Sequence, residues 1–84
     1  MSKVVKRVED RDMAHVVEVE NEHYYVDSAD TFDCGFETMV FGMETESNGE
    51  EEIDWSGLYR ENHSSYCDME NRHKYIIEHL EEFV

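Results

Sequence analysis

Seven side chains of this sequence are of the types that most often bind zinc in proteins. They are His15, His23, His63, His73, His79, Cys34 and Cys67. Zinc motifs usually repeat a closely spaced pair of ligands, whereas here His63 and Cys67 form one such pair without a second. The spacing therefore predicts no metal site, and the histidines are interpreted as surface or core-edge residues.

A nucleophile close to a histidine is the second candidate for chemistry. Cys67, Ser64 and Ser65 all lie within four residues of His63, and a covalent catalyst needs such a pair. Pairs of this kind occur by chance in short chains, and no glycine-rich phosphate loop accompanies this one. A chain of 84 residues also leaves little room for a pocket of ordinary ligand size. We therefore expect no enzymatic activity and no cofactor.

Acidic loops suggest calcium as a third candidate. Asp27, Asp30, Asp33 and Glu37 follow one another at spacings of three, three and four residues. An EF-hand loop instead needs ligands at positions 1, 3 and 5, glycine at 6 and glutamate at 12. The pattern predicts no specific calcium site, and weak divalent-ion binding by residues 50–52 stays as an alternative.

The distribution of charge is the strongest functional signal. From Asp12 to Tyr59 the chain has 14 Asp and Glu but no Lys or Arg, although the whole protein has seven basic residues. A stretch of one sign repels itself and lacks internal ion pairs, so it favours a basic partner or a purely solubilising role. The predicted partner-binding carboxylates are Glu18, Glu20, Glu22, Asp27, Asp30, Asp33, Glu37, Glu44, Glu46, Glu50, Glu51, Glu52 and Asp54.

The net charge of −15 excludes several classes of partner. Affinity for nucleic acid comes mainly from Lys and Arg on phosphates, so direct binding of DNA or RNA is not expected. Anionic membrane surfaces are excluded by the same argument. No apolar run approaches the 18 residues of a membrane span, and the N-terminus has no apolar signal region. We expect a cytoplasmic protein whose two cysteines are separate free thiols.

Apolar patterning predicts one small folded domain over residues 1–84. Alternation of apolar and polar residues indicates β-strands at 3–8, 13–20, 23–28 and 36–43, with 55–60 as an optional fifth. Val17 and Val19 face one side of the second strand, and Glu18 and Glu20 the other, which is typical of a half-buried strand. Residues 44–54, with Ser47-Asn48-Gly49, are interpreted as a loop.

The C-terminal segment has the periodicity of a helix over about 66–82. Ser65 is a good N-cap with Asp68 three positions on. Apolar residues then recur every three or four positions and form one stripe; they are Tyr66, Met69, Ile76, Ile77, Leu80 and Phe83, with His73 among them. The predicted architecture is α+β, a small antiparallel sheet of three to five strands packed against one C-terminal amphipathic helix.

Three segments carry a resemblance to a family of small phage proteins. In that family a Tyr-rich strand precedes a Glu-Thr-Met-Val-Phe strand, and a helix with an acid-Ala-x-x-Gly-His run closes the chain. The matching segments here are Tyr24-Tyr25-Val26, Phe36-Glu37-Thr38-Met39-Val40-Phe41 and Asp68-Met69-Glu70-Asn71-Arg72-His73. Met69 and Arg72 depart from the family pattern. The resemblance covers roughly residues 23 to 80 and implies a phage origin and this fold.

Length, charge and phage character together resemble the DNA-mimic proteins that phages use in host takeover, in particular acidic inhibitors of the bacterial nucleoid protein HU. This resemblance implies a non-enzymatic inhibitor that covers the basic DNA-binding surface of a host protein in the cytoplasm of an infected bacterium. Two alternatives stay open: inhibition of another DNA-binding host defence enzyme, such as a nuclease or glycosylase, and a phage structural or accessory protein whose acidity only solubilises it. Pairing of two copies as a homodimer also stays open.

Overall fold

A computed structural model shows five antiparallel strands followed by one C-terminal helix, which confirms the α+β prediction. The structure describes residues 2–9, 13–31, 33 and 35–84. The elements are β1 (Ser2–Arg7), β2 (Met13–Val19), β3 (Glu22–Thr31), β4 (Gly35–Thr45), β5 (Glu51–His63) and α1 (Tyr66–Glu78), with a 3-10 turn at Leu80–Glu82. The expectation that Cys34 is a free thiol lies outside the described residues.

The strands form a meander in which each one pairs with the next along the chain, in the order β1-β2-β3-β4-β5. This topology brings the β2–β3 turn and the β4–β5 hairpin to the same end of the sheet. The β3–β4 turn and the start of α1 lie at the opposite end. The longest dimension of the molecule is 40 Å, which matches thirteen residues of β5 at about 3.3 Å each.

Three strands are longer than the sequence pattern indicates. β3 continues to Thr31, β4 continues to Thr45, and β5 runs from Glu51 to His63 instead of over 55–60. The predicted loop at 44–54 is therefore wrong except for residues 46–50. Backbone pairing between neighbouring strands continues through polar residues, because the hydrogen-bond ladder does not require apolar side chains.

Helix α1 covers one face of the sheet and completes the main core. Its buried residues Ile76 and the following Leu80 contact Val17, Val26 and Val40 from three strands. The predicted N-cap is confirmed, since the Ser65 side chain accepts a hydrogen bond of 3.1 Å from the backbone N–H of Asp68. The helix therefore begins where local capping chemistry places it, and its buried side fixes it on the sheet.

The opposite face of the sheet has an apolar cluster of its own. Ala14, Tyr25 and Phe41 are buried there, with Met39, Met43 and Ile53 packed around them. The expectation that β2 is buried on one face only is wrong, because Ala14 and Val16 are as buried as Val17. The second cluster holds β4 and β5 together beneath the hairpin that carries many of the carboxylates.

In the part of the chain that the structure describes, neither helical segment combines the length and apolar character needed to cross a membrane. Cys67 is a free, exposed thiol at the first turn of α1.

Candidate functional site: an acidic end of the sheet

The antiparallel topology collects most of the carboxylates at one end of the molecule. We call this group the acidic end; it consists of Glu18, Glu20, Glu22, Glu44, Glu46, Glu50, Glu51 and Glu52. All of them except half-buried Glu18 are exposed. The group comes from two separate hairpins that meet only in the folded sheet.

Two carboxylates of the acidic end lie directly opposite each other on paired strands. Glu44 of β4 is in register with Glu52 of β5, and directly opposed side chains have Cβ atoms about 5 Å apart. Like charges at such positions destabilise a sheet by a few tenths of a kcal/mol or more. The arrangement is thus unfavourable for stability and concentrates negative charge.

The turn between β2 and β3 places its carboxylates differently from the sequence prediction. Val19 pairs with Glu22, so Glu20 and Asn21 form a two-residue connection between the two strands. Their φ values are 50° and 70°. Glu18 and Glu20 therefore do not share one strand face as predicted. The primed turn projects Glu20 at the tip and starts β3 with Glu22.

The β4–β5 hairpin is an ordered turn rather than an open loop. The N–H of Glu46 donates to the carbonyl of Glu50 at 2.6 Å, and the N–H of Gly49 donates to the carbonyl of Glu46 at 3.0 Å. The side chain of Asn48 accepts from the N–H of Glu50 at 3.0 Å. Gly49 has a φ of 90° that favours glycine. The carboxylates of this hairpin are consequently held at defined positions.

A histidine connects the two hairpins. Nδ1 of His23 donates to Glu51 at 2.6 Å, and Nε2 lies 3.4 Å from the carboxylate of Glu18. Beside it runs a groove of about 550 Å³ whose walls include Glu22, Glu44 and Glu51. The contacts fix the spacing of the hairpins, so the acidic end behaves as one surface.

The C-terminal segment adds negative charge at the same end. Helix α1 begins at the far end and runs back, so its C-terminus, which carries partial negative charge, is directed toward the acidic end. Glu81 lies beside Glu20 and Glu22 around a second groove. One basic residue is also near: Lys3 of β1, which lies outside the cation-free part of the sequence, is in register with Glu18.

The other predicted carboxylates lie elsewhere in the fold. Asp30 and Asp33 are exposed at the opposite end, near the β3–β4 turn, while half-buried Asp27 lies on a central strand. Glu37 is only 8% exposed, and its Oε2 lies 4.0 Å from Nε of Arg60. These four residues do not join the acidic end, because their strand positions are five or more residues away from it.

Asp54 has a structural contact of its own at an irregularity in β5. Its Oδ1 accepts a hydrogen bond of 3.1 Å from the backbone N–H of Ser56. This bond, with a further one from the Ser56 side chain, lowers the pKa of the Asp54 carboxyl. Asp54 therefore stays ionised and fixes the path of the strand next to the hairpin.

The aromatic residues near the acidic end divide into core and surface. Tyr25 is 5% exposed, and Tyr24 packs against the core under α1. Trp55 is 64% exposed, although its ring makes edge contacts with Phe41 and Tyr25 at centroid distances of 5.0 and 6.1 Å. A large apolar ring therefore stands at the surface of β5, on the strand that also carries Glu51 and Glu52.

A second polar feature, which the sequence did not predict, lies buried between the sheet and α1. It is a continuous chain of hydrogen-bonded side chains, which we call the histidine chain: His15, His73, Ser28, Thr38 and His63. The consecutive contacts are 2.8, 2.6, 2.5 and 2.8 Å. Ser28, Thr38 and His73 are each less than 5% exposed. The interpretation of the histidines as surface or core-edge residues is wrong for His73 and His63.

The histidine chain ends at an ion pair that joins β5 to α1. Glu61 accepts hydrogen bonds from Nε and Nη2 of Arg72 at 2.8 and 2.9 Å and from the hydroxyl of Tyr59 at 2.6 Å. The Arg72 bonds lower the pKa of the Glu61 carboxyl, and the bond to Glu61 raises the pKa of the Tyr59 hydroxyl. Glu61 is therefore a carboxylate that only accepts hydrogen bonds. Its Oε2 lies 3.5 Å from Nδ1 of His63.

The one sequence signal for the histidine chain was the position of His73 in the apolar stripe of the helix. His73 takes a place among apolar residues of α1, which predicts burial. The other members of the histidine chain come from four different strands, and nothing in their local patterns links them. Across residues 2–9, 13–31, 33 and 35–84, no group of three or more His, Cys, Asp or Glu is arranged to hold a metal ion.

Raising the salt concentration is expected to raise the melting temperature of this protein. Sodium chloride screens the repulsion at the acidic end, where Glu44 opposes Glu52. Calorimetry between about 10 mM and 500 mM salt, over which the Debye length falls from about 30 Å to less than 10 Å, checks this. Calcium chloride at matched ionic strength should give the same rise. A melting temperature that falls or stays constant would contradict the repulsion.

Comparison with protein-family models, with curated proteins and with solved structures found no match to this chain. The resemblance to small phage proteins therefore stays a prediction.

Proposed function

We propose that this protein is an acidic DNA mimic that binds the basic DNA-binding surface of a host protein, an HU-like nucleoid protein in the first instance, and blocks its access to DNA. The observation that carries the proposal is the concentration of eight carboxylates on two adjoining hairpins. Within the described residues, Lys3 is the one Lys or Arg in register with a member of this group.

The spacing of the carboxylates supports this proposal. Neighbouring positions on one strand face are about 6.6 Å apart, and opposed positions on paired strands are about 5 Å apart. Double-stranded DNA presents one phosphate charge per roughly 1.7 Å of axis, or about 3.4 Å along each strand. Two hairpins side by side therefore offer charges at a spacing of the same order, and a surface that evolved for phosphates would find several partners there.

Two features of the acidic end oppose stability and thus favour a binding role over simple solubilisation. Glu20 has a φ of 50°, a conformation that costs an L-residue with a side chain roughly 1 kcal/mol and that glycine or asparagine adopts more easily. Glu44 and Glu52 repel each other across the ladder. Solubility requires neither arrangement, since charges elsewhere on the surface serve it equally well.

Trp55 supplies the apolar contact that charge alone lacks. Interfaces draw much of their affinity from a few aromatic anchors, and electrostatics mainly raises the association rate and selects the partner. The exposed ring of Trp55 lies on β5 three positions from Glu52, on the sheet face of Phe41 and Tyr25. Its edge contacts with Phe41 and Tyr25 hold it ready for binding at little cost in entropy. The amphipathic helix α1 covers the other face of the sheet and serves as a scaffold.

The proposed action needs neither catalysis nor a cofactor. It takes place where a host DNA-binding protein is found, which for a phage protein is the cytoplasm of the infected bacterium. Association is expected to be fast and strongly salt-dependent, because the negative acidic end and the positive surface of the partner attract each other before contact.

The test is competition with DNA for the same partner. The immobilised protein is exposed to a purified HU-like protein and, separately, to bacterial lysate, at low and high salt and with or without excess duplex DNA. We expect capture of basic DNA-binding proteins, loss of capture at high salt, and displacement by DNA.

The outcomes distinguish the alternatives. Capture of a DNA-binding nuclease or glycosylase, with no HU-like protein, would keep the mimicry and change the target. Partners that stay bound in excess DNA would rule mimicry out. Absence of any basic partner would favour an accessory protein whose acidity only solubilises it.

A further inference from the structure

When its three histidines are neutral, the direction of every hydrogen bond in the histidine chain follows from Glu61. Because Arg72 clamps that group as a carboxylate, it only accepts, so the proton of neutral His63 resides on Nδ1, which faces Glu61. Nε2 of His63 then accepts from the hydroxyl of Thr38. A hydroxyl has one proton to donate, so Thr38 must accept from its other neighbour.

The same reasoning fixes the remaining contacts. Ser28 donates to Thr38, and its oxygen therefore accepts from Nδ1 of His73. Nε2 of His73 carries no proton and accepts from Nδ1 of His15. All the donors then point from His15 toward Glu61, and each neutral histidine carries its proton on Nδ1. Each of the four contacts uses one proton, and Nε2 of His15 is the ring nitrogen that takes no part in the chain.

One further proton places a positive charge on the His15–His73 pair. A cationic His73 donates from both ring nitrogens, so the proton of His15 must then lie on Nε2 and not on Nδ1, which faces His73. The new charge would be buried, since His73 is 3% exposed. His15 is half-buried, so it is the member of this pair that water reaches.

The surroundings do not stabilise such a charge. Arg7 of β1 is in register with His15, β3 and β4 contribute only the hydroxyls of Ser28 and Thr38, and α1 contributes Arg72. From β5 come the ring of His63, the hydroxyl of Tyr59 and Glu61, which is already paired with Arg72. Among the described groups of this network, Arg7 is therefore a cation beside the pair, while the charges of Arg72 and Glu61 already offset each other.

We propose that the histidine chain is a proton-sensitive latch: uptake of a proton by the His15–His73 pair releases α1 from the sheet. The latch is located at the middle of α1, where His73 is the polar member of the buried side formed with Met69 and Ile76. Its opening would expose the sheet face beneath Val17, Val26 and Val40. The proposal does not depend on the proposed partner.

Hydrogen exchange of the α1 amides, corrected for the intrinsic rate at each pH, tests the latch. Burial, with His15 and His63 nearby, lowers the pKa of His73 from 6.5 to about 4. The open state binds the proton more tightly, so stability is complete above about pH 6.5 and falls as the pH drops toward 4. Linkage then gives an opening equilibrium roughly 50-fold larger at pH 4.5 than at pH 7. Unchanged α1 protection between these pH values would overturn the proposal.

Two variants sharpen the test. His73→Gln keeps one donor and one acceptor but does not titrate, so its α1 protection should lose most of this pH dependence. His79→Gln, which changes a histidine at the end of the same helix outside the chain, should retain the full dependence. An equal pH response in His73→Gln and in the unaltered protein would contradict the latch.

The unaltered protein also provides a check that does not depend on how the variants fold. Nitrogen-15 shifts of the imidazole rings at pH 7 distinguish the two tautomers. We expect protonated Nδ1 and unprotonated Nε2 in His15, His63 and His73. A cationic His73, or a proton on its Nε2, would refute the proposed direction of the chain.

Discussion

Replacing four carboxylates of the acidic end by their amides is expected to weaken binding of a basic DNA-binding partner by about 100-fold or more. The variant combines Glu20→Gln, Glu22→Gln, Glu44→Gln and Glu52→Gln, all at exposed positions. If each lost charge pair contributes about 0.7 kcal/mol, which is modest for a partly desolvated interface, the sum approaches 3 kcal/mol, or roughly 100-fold in affinity. Titration calorimetry or surface plasmon resonance at about 100 mM salt measures this loss.

A matched variant distinguishes the effect of carboxylate position on binding from the effect of net charge. Glu9→Gln, Asp30→Asn, Asp33→Asn and Glu70→Gln remove the same four charges from the far end and the first half of α1, where all four residues are exposed. This variant should bind within about threefold of the unaltered protein, because charges a Debye length or more from the interface are screened. Equal losses in the two variants would mean that only net charge matters, and the acidic end would not be the site.

Protein stability provides an internal control for the same experiment. Removal of the Glu44–Glu52 repulsion and of the charge at Glu20 should leave the melting temperature unchanged or higher. Weaker binding by a protein of equal or greater stability would then report on the interface itself. A large fall in melting temperature would show instead that these carboxylates maintain the fold.

Replacing Ile76 by alanine is expected to remove much of the stability of the fold. Ile76 is fully buried between α1 and the sheet, in contact with the Val17, Val26 and Val40 cluster. Truncations of this kind cost about 2–5 kcal/mol through lost burial and an unfilled cavity. A chain of 84 residues has a total stability of roughly 4–12 kcal/mol at 0.05–0.15 kcal/mol per residue. Urea unfolding followed by circular dichroism measures the change.

The neighbouring position gives a control with the same chemistry. Ile77 is half-buried and packs at the margin of the core, so Ile77→Ala should cost only about 1 kcal/mol, since less apolar surface is lost from burial. The two variants have the same helix propensity, and their difference therefore measures packing against the sheet. Equal costs would show that α1 is stabilised by its own sequence more than by the contact with β2, β3 and β4.

The sequence alone determined the features that depend on near neighbours. The start of α1 follows from Ser65 and Asp68, because an N-cap bonds to a backbone N–H three residues away. Phe36 and Val40 on one face of β4, with Met39, Phe41 and Met43 on the other, follow from the two-residue period of a strand. The structure places Val40 in the core under α1, and Phe41, with Met39 and Met43 beside it, in the second cluster. The excess of negative charge was likewise evident without coordinates.

Strand lengths were predicted less well, because apolar alternation marks only the part of a strand whose side chains pack in a core. Residues 51–54 and 61–63 of β5 are mostly polar, yet they pair with β4 through the backbone. That pairing depends on the neighbouring strand, which the local sequence of β5 does not encode. The residues once assigned to a loop therefore became the two sides of a hairpin.

Tertiary structure decided which carboxylates act together. Glu20 and Glu52 are 32 positions apart, and they reach the same end only because β2 to β5 run antiparallel in order. The same physics assembled the histidine chain, in which His15 and His73 are separated by 58 positions. Composition gave the number and sign of the charges, and periodicity gave the face on which His73 lies. Strand pairing and helix docking brought distant residues to within hydrogen-bond distance, because these contacts depend on the path of the whole chain.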